Sequence, residues 1–336
     1  MFLCAYFVHM SALQPSQRIG KTFQNPIPTA QTNGGFFKIL WQYMTSKEER
    51  VPKVPIGPFP VNVLHYDTTP ASGLRVTWMG HSSLLIEIDG KRFLTDPVVG
   101  RASFSQLVGP KRFFPYPLSL TNLPQLDGII LSHDHYDHLD KMAIRQLVNN
   151  ATPFYCSLGV GEHLVKWGID KNRINELDWM QTVAVGSDCT ITATPARHFS
   201  GRGLTNRNQT LWSSFVIKGN KHNIFFGADS GWFPGFKDIG NHFGPFDLTM
   251  LEVGASNPAW ADIHMGPYKA TDAHLALKGK VMMPIHWAGF NLALHAWREP
   301  VETTITLAKE KGIELFLPKP GTVTDFHGAL NTNWWA

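Results

Sequence analysis

SHDHYDHLD, residues 132–140, sets three histidines and three aspartates in nine positions. It leaves DGIILS (127–132), an apolar run that reads as a buried strand, and enters LDKMAIRQLVNN (139–150), which has helical periodicity. A helix-capping loop explains one acid, Asp134 or Asp137. It does not explain three histidines. Histidine and carboxylate donors suit a borderline ion such as Zn2+. A chain leaving a strand sends alternate side chains the same way, so His133 and His135 can grip one ion. Asp137 and His138, where the loop meets the helix, face a second.

Outward from this stretch, strands and helices alternate. LRVTWMG (74–80) alternates like a strand. LLIEI (84–88), Asp89-Gly90 and KRFLTD (91–96) read as a hairpin, because Asp-Gly suits a type I′ turn. Further strands are expected at 154–158, 188–196, 211–218, 223–229, 248–253, 280–287 and 313–318, and helices at 160–168, 268–279 and 300–312. The fold class is layered α/β. Both halves run from strands to helices, a hint of internal duplication. Residues 15–73 are rich in Pro, Gly, Thr and Asn around FFKILWQYM (36–44), a short helix by pattern. Residues 1–73 are therefore read as an N-terminal extension, partly irregular, draped over a main domain at 74–336.

Several strands end in a metal-ligand type of residue. KRFLT runs into Asp96, GIILS into His133, TITATPAR into His198, NIFFGA into Asp229 and VMMPI into His286. Strand ends along one sheet edge are where an α/β domain builds its site. The donor set then closes around two ions. His133, His135 and His198 serve one, Asp137, His138 and His286 the other, and Asp229 bridges them through its two oxygens.

Composition removes several function classes. The chain has 336 residues, 43% hydrophobic and 17% charged, enough for a large core and unlike a disordered chain. Its net charge of +4 is scattered, without the basic run of a nucleic-acid footprint. Cys4, Cys156 and Cys189 form no C-x-x-C pair, so a disulfide scaffold is not expected and the cytoplasm is. Met1–Gln17 carries no Lys, Arg, Asp or Glu, and its apolar start breaks at His9. It is read as a poorly ordered extension, with a degenerate export signal or surface anchor as the alternative. No G-x-S-x-G or G-x-G-x-x-G occurs, which removes a serine hydrolase and a dinucleotide fold.

SHDHYDHLD matches the H-x-H-x-D-H signature of the metallo-β-lactamase superfamily, and His198, Asp229 and His286 fall where that family places its remaining ligands. The likeness spans roughly residues 74–325. Within it, WMGHSSLLIEIDGKRFLTDPVVGRASFSQLVGPKRF (78–113), LDGIILSHDHYDHLD (126–140) and MMPIHWAGFNLALH (282–295) resemble the N-acylphosphatidylethanolamine-hydrolysing phospholipase D branch and its bacterial relatives. A more distant ascorbate-phosphate lactonase branch shares Gly80-His81 and Asp96-Pro97. The resemblance implies an αββα sandwich of two mixed sheets with helices outside. It implies two Zn2+ per chain, with Mn2+ or Fe2+ in some relatives, and a metal-bridging hydroxide attacking a phosphodiester. It speaks against β-lactamase activity, since the common binuclear β-lactamases use a cysteine ligand and neither Cys156 nor Cys189 stands at a ligand position. A lactonase or carboxylic-ester hydrolase is the alternative on the same metals. A non-catalytic metal-binding protein is the alternative of another class.

The candidate catalytic set is Asp137, Asp96 and His264. Asp96 is expected to orient a ligand histidine or the hydroxide, and His264, in ADIHMGPY (261–268), to contact the leaving group or phosphate. His81 divides between such an outer role and a buried structural one. Lys111 and Arg112 read either as charge for an anionic substrate or as a solvated surface pair. Trp260, Tyr268, Trp287, Phe290 and Trp297 read as an aromatic wall for an apolar group or as core. His163, His222, His295 and His327 take structural or surface readings. The expected partner is a small-molecule or lipid phosphodiester, with no nucleic acid. Peripheral membrane contact and a dimer are both compatible with the sequence.

Overall fold

β-Branched and aromatic residues dominate the apolar runs after residue 73, and those runs form strands. The computed structural model describes residues 13–32, 36–203 and 205–336, with backbone alone over 36–40. A short hairpin, β1 (Arg18–Ile19) and β2 (Thr22–Phe23), precedes helix α1 (Phe36–Thr45). The first half continues with β3 (Leu74–Gly80), β4 (Ser83–Ile88), β5 (Lys91–Thr95), β6 (Gly128–Leu131), α2 (Lys141–Gln146), β7 (Phe154–Ser157), α3 (Gly161–Lys166) and β8 (Ile174–Leu177). The second half comprises β9 (Thr182–Val185), β10 (Cys189–Thr194), β11 (Ser214–Lys218), β12 (Asn223–Phe226), α4 (Gly235–His242), β13 (Phe246–Glu252), α5 (Gly266–Ala276), β14 (Gly279–Ile285), α6 (Glu299–Lys311) and β15 (Glu314–Leu317). Two short strands, β16 (Thr324–Asp325) and β17 (Leu330–Asn331), close it.

Two mixed sheets result. One runs β16-β3-β4-β5-β6-β7-β8, the other β17-β15-β14-β13-β12-β11-β10-β9. Each is an antiparallel meander followed by parallel strands: β3, β4, β5 and then β6 to β8, β9 to β12 and then β13 to β15. The duplication hinted at by the sequence is thus present in the topology.

Side-chain alternation sets the layers. Ile130 of β6, Phe93 of β5 and Tyr155 of β7 point into a core shared with Ile217, Phe226 and Met250 of the other sheet. Their neighbours Ile129, Leu131, Leu94 and Phe154 point the opposite way, onto Ile144 and Leu164 of α2 and α3. Strands buried on both faces lose polar alternation, which is why GIIL reads as an unbroken apolar run.

The Asp89-Gly90 turn has φ of 48° and 85°, as a type I′ hairpin requires. The helix expected at 139–150 spans only Lys141–Gln146. Asp140 caps it, accepting from Met142 N at 2.8 Å, and neither Asp134 nor Asp137 does. β8, β9 and α4 were not expected. β8 and β9 are short, partly exposed edge strands without an apolar run, and α4 holds two glycines, poor helix formers.

The segment before residue 74 packs on the domain. Phe23 is buried with Trp179, Leu211 and Trp212, and Tyr66 bonds Thr77 Oγ1 through its hydroxyl at 2.6 Å. Residues 1–12, which carry most of the apolar N-terminal stretch, lie outside the described residues. No helix among the described residues is long and apolar enough to cross a membrane.

Candidate metal centre

Strands β3, β5, β12 and β14 end at one edge, and beyond each the backbone turns left-handed. φ is 57° at His81, 34° at Asp96, 47° at Ala228 and 64° at His286. A non-glycine residue in such a conformation costs of order 1–3 kcal/mol, and the cost falls where candidate ligands leave their strands. It also explains why the strands expected to run to 96, 229 and 287 stop at Thr95, Phe226 and Ile285. Two glycines permit the convergence. A Cβ on Gly231 would collide with the Asp262 carbonyl, and one on Gly254 with that of His286.

The side chains meet in three overlapping groups. His133, His135, His198 and Asp229 form the first, His81, Asp137, His138 and His286 the second, and Asp229, Glu252, His264 and His286 the third. Donors about 2.0–2.1 Å from a tetrahedral zinc ion stand about 3.4 Å apart. In the first group His133 Nε2 and His198 Nε2 lie 2.9 and 3.2 Å from His135 Nδ1, and 3.9 and 3.7 Å from Asp229 Oδ2. In the second, Asp137 Oδ2 lies 3.6 Å from His138 Nε2 and 3.3 Å from His286 Nε2. Asp229 reaches this group too, with Oδ1 3.2 Å from His138 Nε2 and Oδ2 3.2 Å from His286 Nε2. These distances bracket the tetrahedral spacing. His138 Nε2, His286 Nε2 and Asp229 Oδ1 are buried and lack hydrogen-bond partners. Buried polar atoms are seldom left so, and a cation answers all three. The residues therefore fit bound metal.

Neighbouring groups select the tautomers. Ser132 gives its hydroxyl proton to Asp96 Oδ2 at 2.6 Å, so its oxygen accepts the Nδ1 proton of His133 at 2.9 Å. Asp96 Oδ2 accepts from His138 Nδ1 at 2.8 Å, and its Oδ1 accepts from Ser132 N. His198 Nδ1 donates to the Ile263 carbonyl at 2.9 Å. All three rings are left with an Nε2 lone pair toward the centre. His81 Nε2 lies 3.0 Å from Asp137 Oδ2.

Electrostatics differ between the groups. Burial holds the His133 and His198 imidazoles well below their usual range, as free ligand nitrogens must be. Burial also disfavours charge on His138 and His286, but Asp229 and Asp137 outweigh it, lifting His138 well above and His286 to about 10. Burial opposes ionisation of Asp229, yet His138 and His286 draw it well below the carboxylate range. At His138 and His286 a proton and a metal ion compete for the same lone pair.

His264 stands at the rim, its ring 5.1 Å from that of His198 and 5.4 Å from that of His286. Its Nδ1 donates to Glu252 Oε2 at 2.7 Å. Glu252 was missed by sequence reasoning, which read LTMLEV only as a strand, although an acid closing an apolar strand was the same signal as at Asp96. Asn25 and Arg202 were missed as well. Asn25 brackets His198, donating to its carbonyl at 2.7 Å and accepting from its amide at 2.9 Å. Arg202 donates to the carbonyls of Asp134 and Leu139, clamping the motif from outside.

The remaining candidates divide between the centre's surroundings and the rest of the fold. Arg112 is not a freely solvated surface ion: it is half-buried, donates to the carbonyls of Val98 and Met79 at 2.9 and 2.5 Å, and burial lowers it to about 10. Of the five aromatics read either as a wall or as core, Trp287, Phe290 and Trp297 line one small pocket together with His286. Trp287 and Trp297 are also buried beside Trp334, Phe290 has a ring contact with His81 at 5.1 Å, and Tyr268 is 64% exposed. His163 faces Asp134 at 3.3 Å and His222 faces Asp89 at 2.8 Å. Cys156 and Cys189 are buried free thiols within strands.

A family model described as a beta-lactamase superfamily domain matches residues 91–287. An uncharacterized protein of Mycobacterium tuberculosis is 44% identical over 303 residues, 88% of this chain and 80% of that one. N-acyl-phosphatidylethanolamine-hydrolyzing phospholipase D 1 of Caenorhabditis elegans is 35% identical over 294 residues, 81% of this chain and 82% of its own length. Among solved structures, isothiocyanate hydrolase from Delia radicum gut bacteria is similar with a TM-score of 0.60 at 21% identity, covering 75% of this chain and 98% of that one, a likeness of fold. With its two mixed sheets and clustered histidines and aspartates, the chain belongs to the metallo-β-lactamase superfamily of metal-dependent hydrolases, among relatives that include N-acylphosphatidylethanolamine-hydrolysing phospholipase D.

Proposed function

We propose that the protein is a binuclear zinc-dependent phosphodiesterase acting on a small or lipid phosphodiester. One observation carries the reading: two groups of nitrogen and oxygen donors, without a cysteine, both lie within reach of the single carboxylate of Asp229, which stands 3.7 Å from His198 Nε2 in one and 3.2 Å from His138 Nε2 and His286 Nε2 in the other. The phospholipase D relative supports a phosphodiester, the bond that such an enzyme cuts. Two zinc ions would supply an acidified water and a counter-charge for the phosphoryl oxygens.

The chain's own residues do the rest. His133, His135 and His198 would hold one ion, Asp137, His138 and His286 the other, with Asp229 shared. Asp96 and Ser132 keep His138 and His133 in the ligating tautomer. His81 steadies Asp137 through the 3.0 Å contact. His264 waits at the rim to meet the leaving group or a phosphoryl oxygen. A decayed, non-catalytic metal protein has no need of so many fixed tautomers. The buried free thiols suit a reducing compartment, and we place the protein in the cytoplasm. The exposed Phe104, Leu107 and Val108 suit contact with a lipid surface.

A substrate panel tests the reading. Bis(p-nitrophenyl) phosphate and an N-acyl phospholipid should turn over faster than a simple lactone or thioester. The reverse order would establish the lactonase instead. Metal analysis should find about two ions per chain.

A further inference from the structure

The geometry points to Glu252 as the positioning residue that aims His264 at the reacting centre. The inference rests on the metal-centre reading above and deepens it. Glu252 is the last residue of β13 and is fully buried. A carboxylate there loses its hydration and is tolerated only with compensating donors. Its Oε1 accepts from Ser230 N at 3.1 Å and Met265 N at 3.0 Å. Its Oε2 accepts from His264 Nδ1 at 2.7 Å and lies 3.8 Å from His286 Nδ1.

The identity of these partners is what matters. Ser230 follows Asp229, Met265 follows His264, and His286 is itself a candidate ligand. One carboxylate therefore touches three separate chain segments of the second half at the site. Toward His264 the contact is chemical as well as mechanical. Donation from Nδ1 fixes the tautomer and leaves Nε2 as the ring's free nitrogen, while the ring sits between His198 and His286. Without that acceptor the imidazole can change tautomer or turn about its bond to Cβ.

A purely structural role predicts a different outcome, and Glu252→Gln separates the two. Glutamine keeps an oxygen for the Ser230 and Met265 amides. It turns an NH2 group toward His264 Nδ1, where an acceptor is needed. The zinc-loaded full chain is compared as wild type, Glu252→Gln, His264→Ala and the double variant. Three readouts are taken: kcat and KM on bis(p-nitrophenyl) phosphate, metal content, and the downfield imidazole N–H proton resonance. Glu252→Gln should lower kcat by about 10- to 100-fold and leave KM within about twofold. Its metal content and thermal midpoint should match wild type. The double variant should be no slower than His264→Ala alone, and the ring N–H signal should vanish in both single variants. Multiplying losses in the double variant, an unchanged kcat, or a lost metal equivalent (which would make Glu252 a ligand) would each overturn the inference. If the wild type cleaves no phosphodiester, the functional reading fails alone. The ring proton then still decides the pairing, and its persistence in Glu252→Gln would refute it.

Discussion

The two halves of the molecule deliver the same kind of side chain by opposite routes. The first half places four candidate ligands, His133, His135, Asp137 and His138, in one loop after β6. The second places one each at His198, Asp229 and His286, after three different strands. Support differs in the same sense. In the first half Ser132, next to the motif, and Asp96, on the neighbouring strand end, pin His133 and His138. In the second, His198 leans on the Ile263 carbonyl and on Asn25, 173 residues earlier in the chain. A local motif carries its ligand geometry within itself. A dispersed one borrows it from topology.

Asp229 is where the routes meet, so its removal has the largest expected effect. Asp229→Ala should reduce turnover by more than about 10³-fold, because one side chain faces both donor groups and, on the proposed mechanism, both ions would lose a ligand. Metal analysis should fall from two equivalents to one or none. Two retained ions with activity intact would break the picture of a common carboxylate.

The contrast also accounts for what the sequence discloses. The motif and the strand ends were legible because ligand chemistry interrupts apolar runs there. The strands themselves were legible because both sheet faces are buried. The hairpin at Asp89-Gly90 followed from the positive φ that its turn demands. Strand ends at the site were overextended, because nothing in the residues announces left-handed backbone at Asp96 or His286. Glu252 carried the signal of an acid closing an apolar strand, but what it does was not legible: its partners, Ser230, His264 and Met265, come together only when β13 lies beside its neighbours. Asn25 had no local signal at all, since its function is a contact across the whole chain.

A second prediction separates the halves by acid stability. His274 of α5 is buried away from the centre, its Nδ1 2.8 Å from Thr249 Oγ1, and burial lowers it to about 4. The folded pKa is below the unfolded value of 6.5, so the unfolded chain binds the proton first as pH falls. The stability held by the neutral ring is complete above about pH 6.5 and drains away down to about pH 4, by up to about 3 kcal/mol. Denaturant midpoints across this window should fall less for His274→Gln than for wild type. Parallel curves would mean that the ring does not govern acid unfolding.

Within the first half, Asp96→Asn keeps an acceptor for Ser132 N but presents an amide to His138 Nδ1. Metal affinity should weaken by about 10- to 100-fold at the ion held by His138 and by less at the ion held by His133, which Asp96 reaches only through the Ser132 hydroxyl. Stepwise loss of the two ions against a chelator would show this as one early and one late release. Simultaneous release would mean that the two sites act as one unit through the Asp96–Ser132 link.

Asn25→Ala probes the second half by the same logic, with the smallest effect. Asn25 touches no metal-facing atom; it holds the amide and carbonyl of His198 from a segment outside the 91–287 family match. Two part-buried hydrogen bonds are lost, each worth about 1 kcal/mol, with some recovered through water. The expected result is a fall of a few degrees in Tm and an affinity loss of about 3- to 10-fold confined to the ion held by His198. If the two ions weakened equally, the N-terminal segment would support the whole centre. If only the His198 ion weakened, the dispersed half would be shown to depend on distant chain for what the motif supplies from adjacent residues.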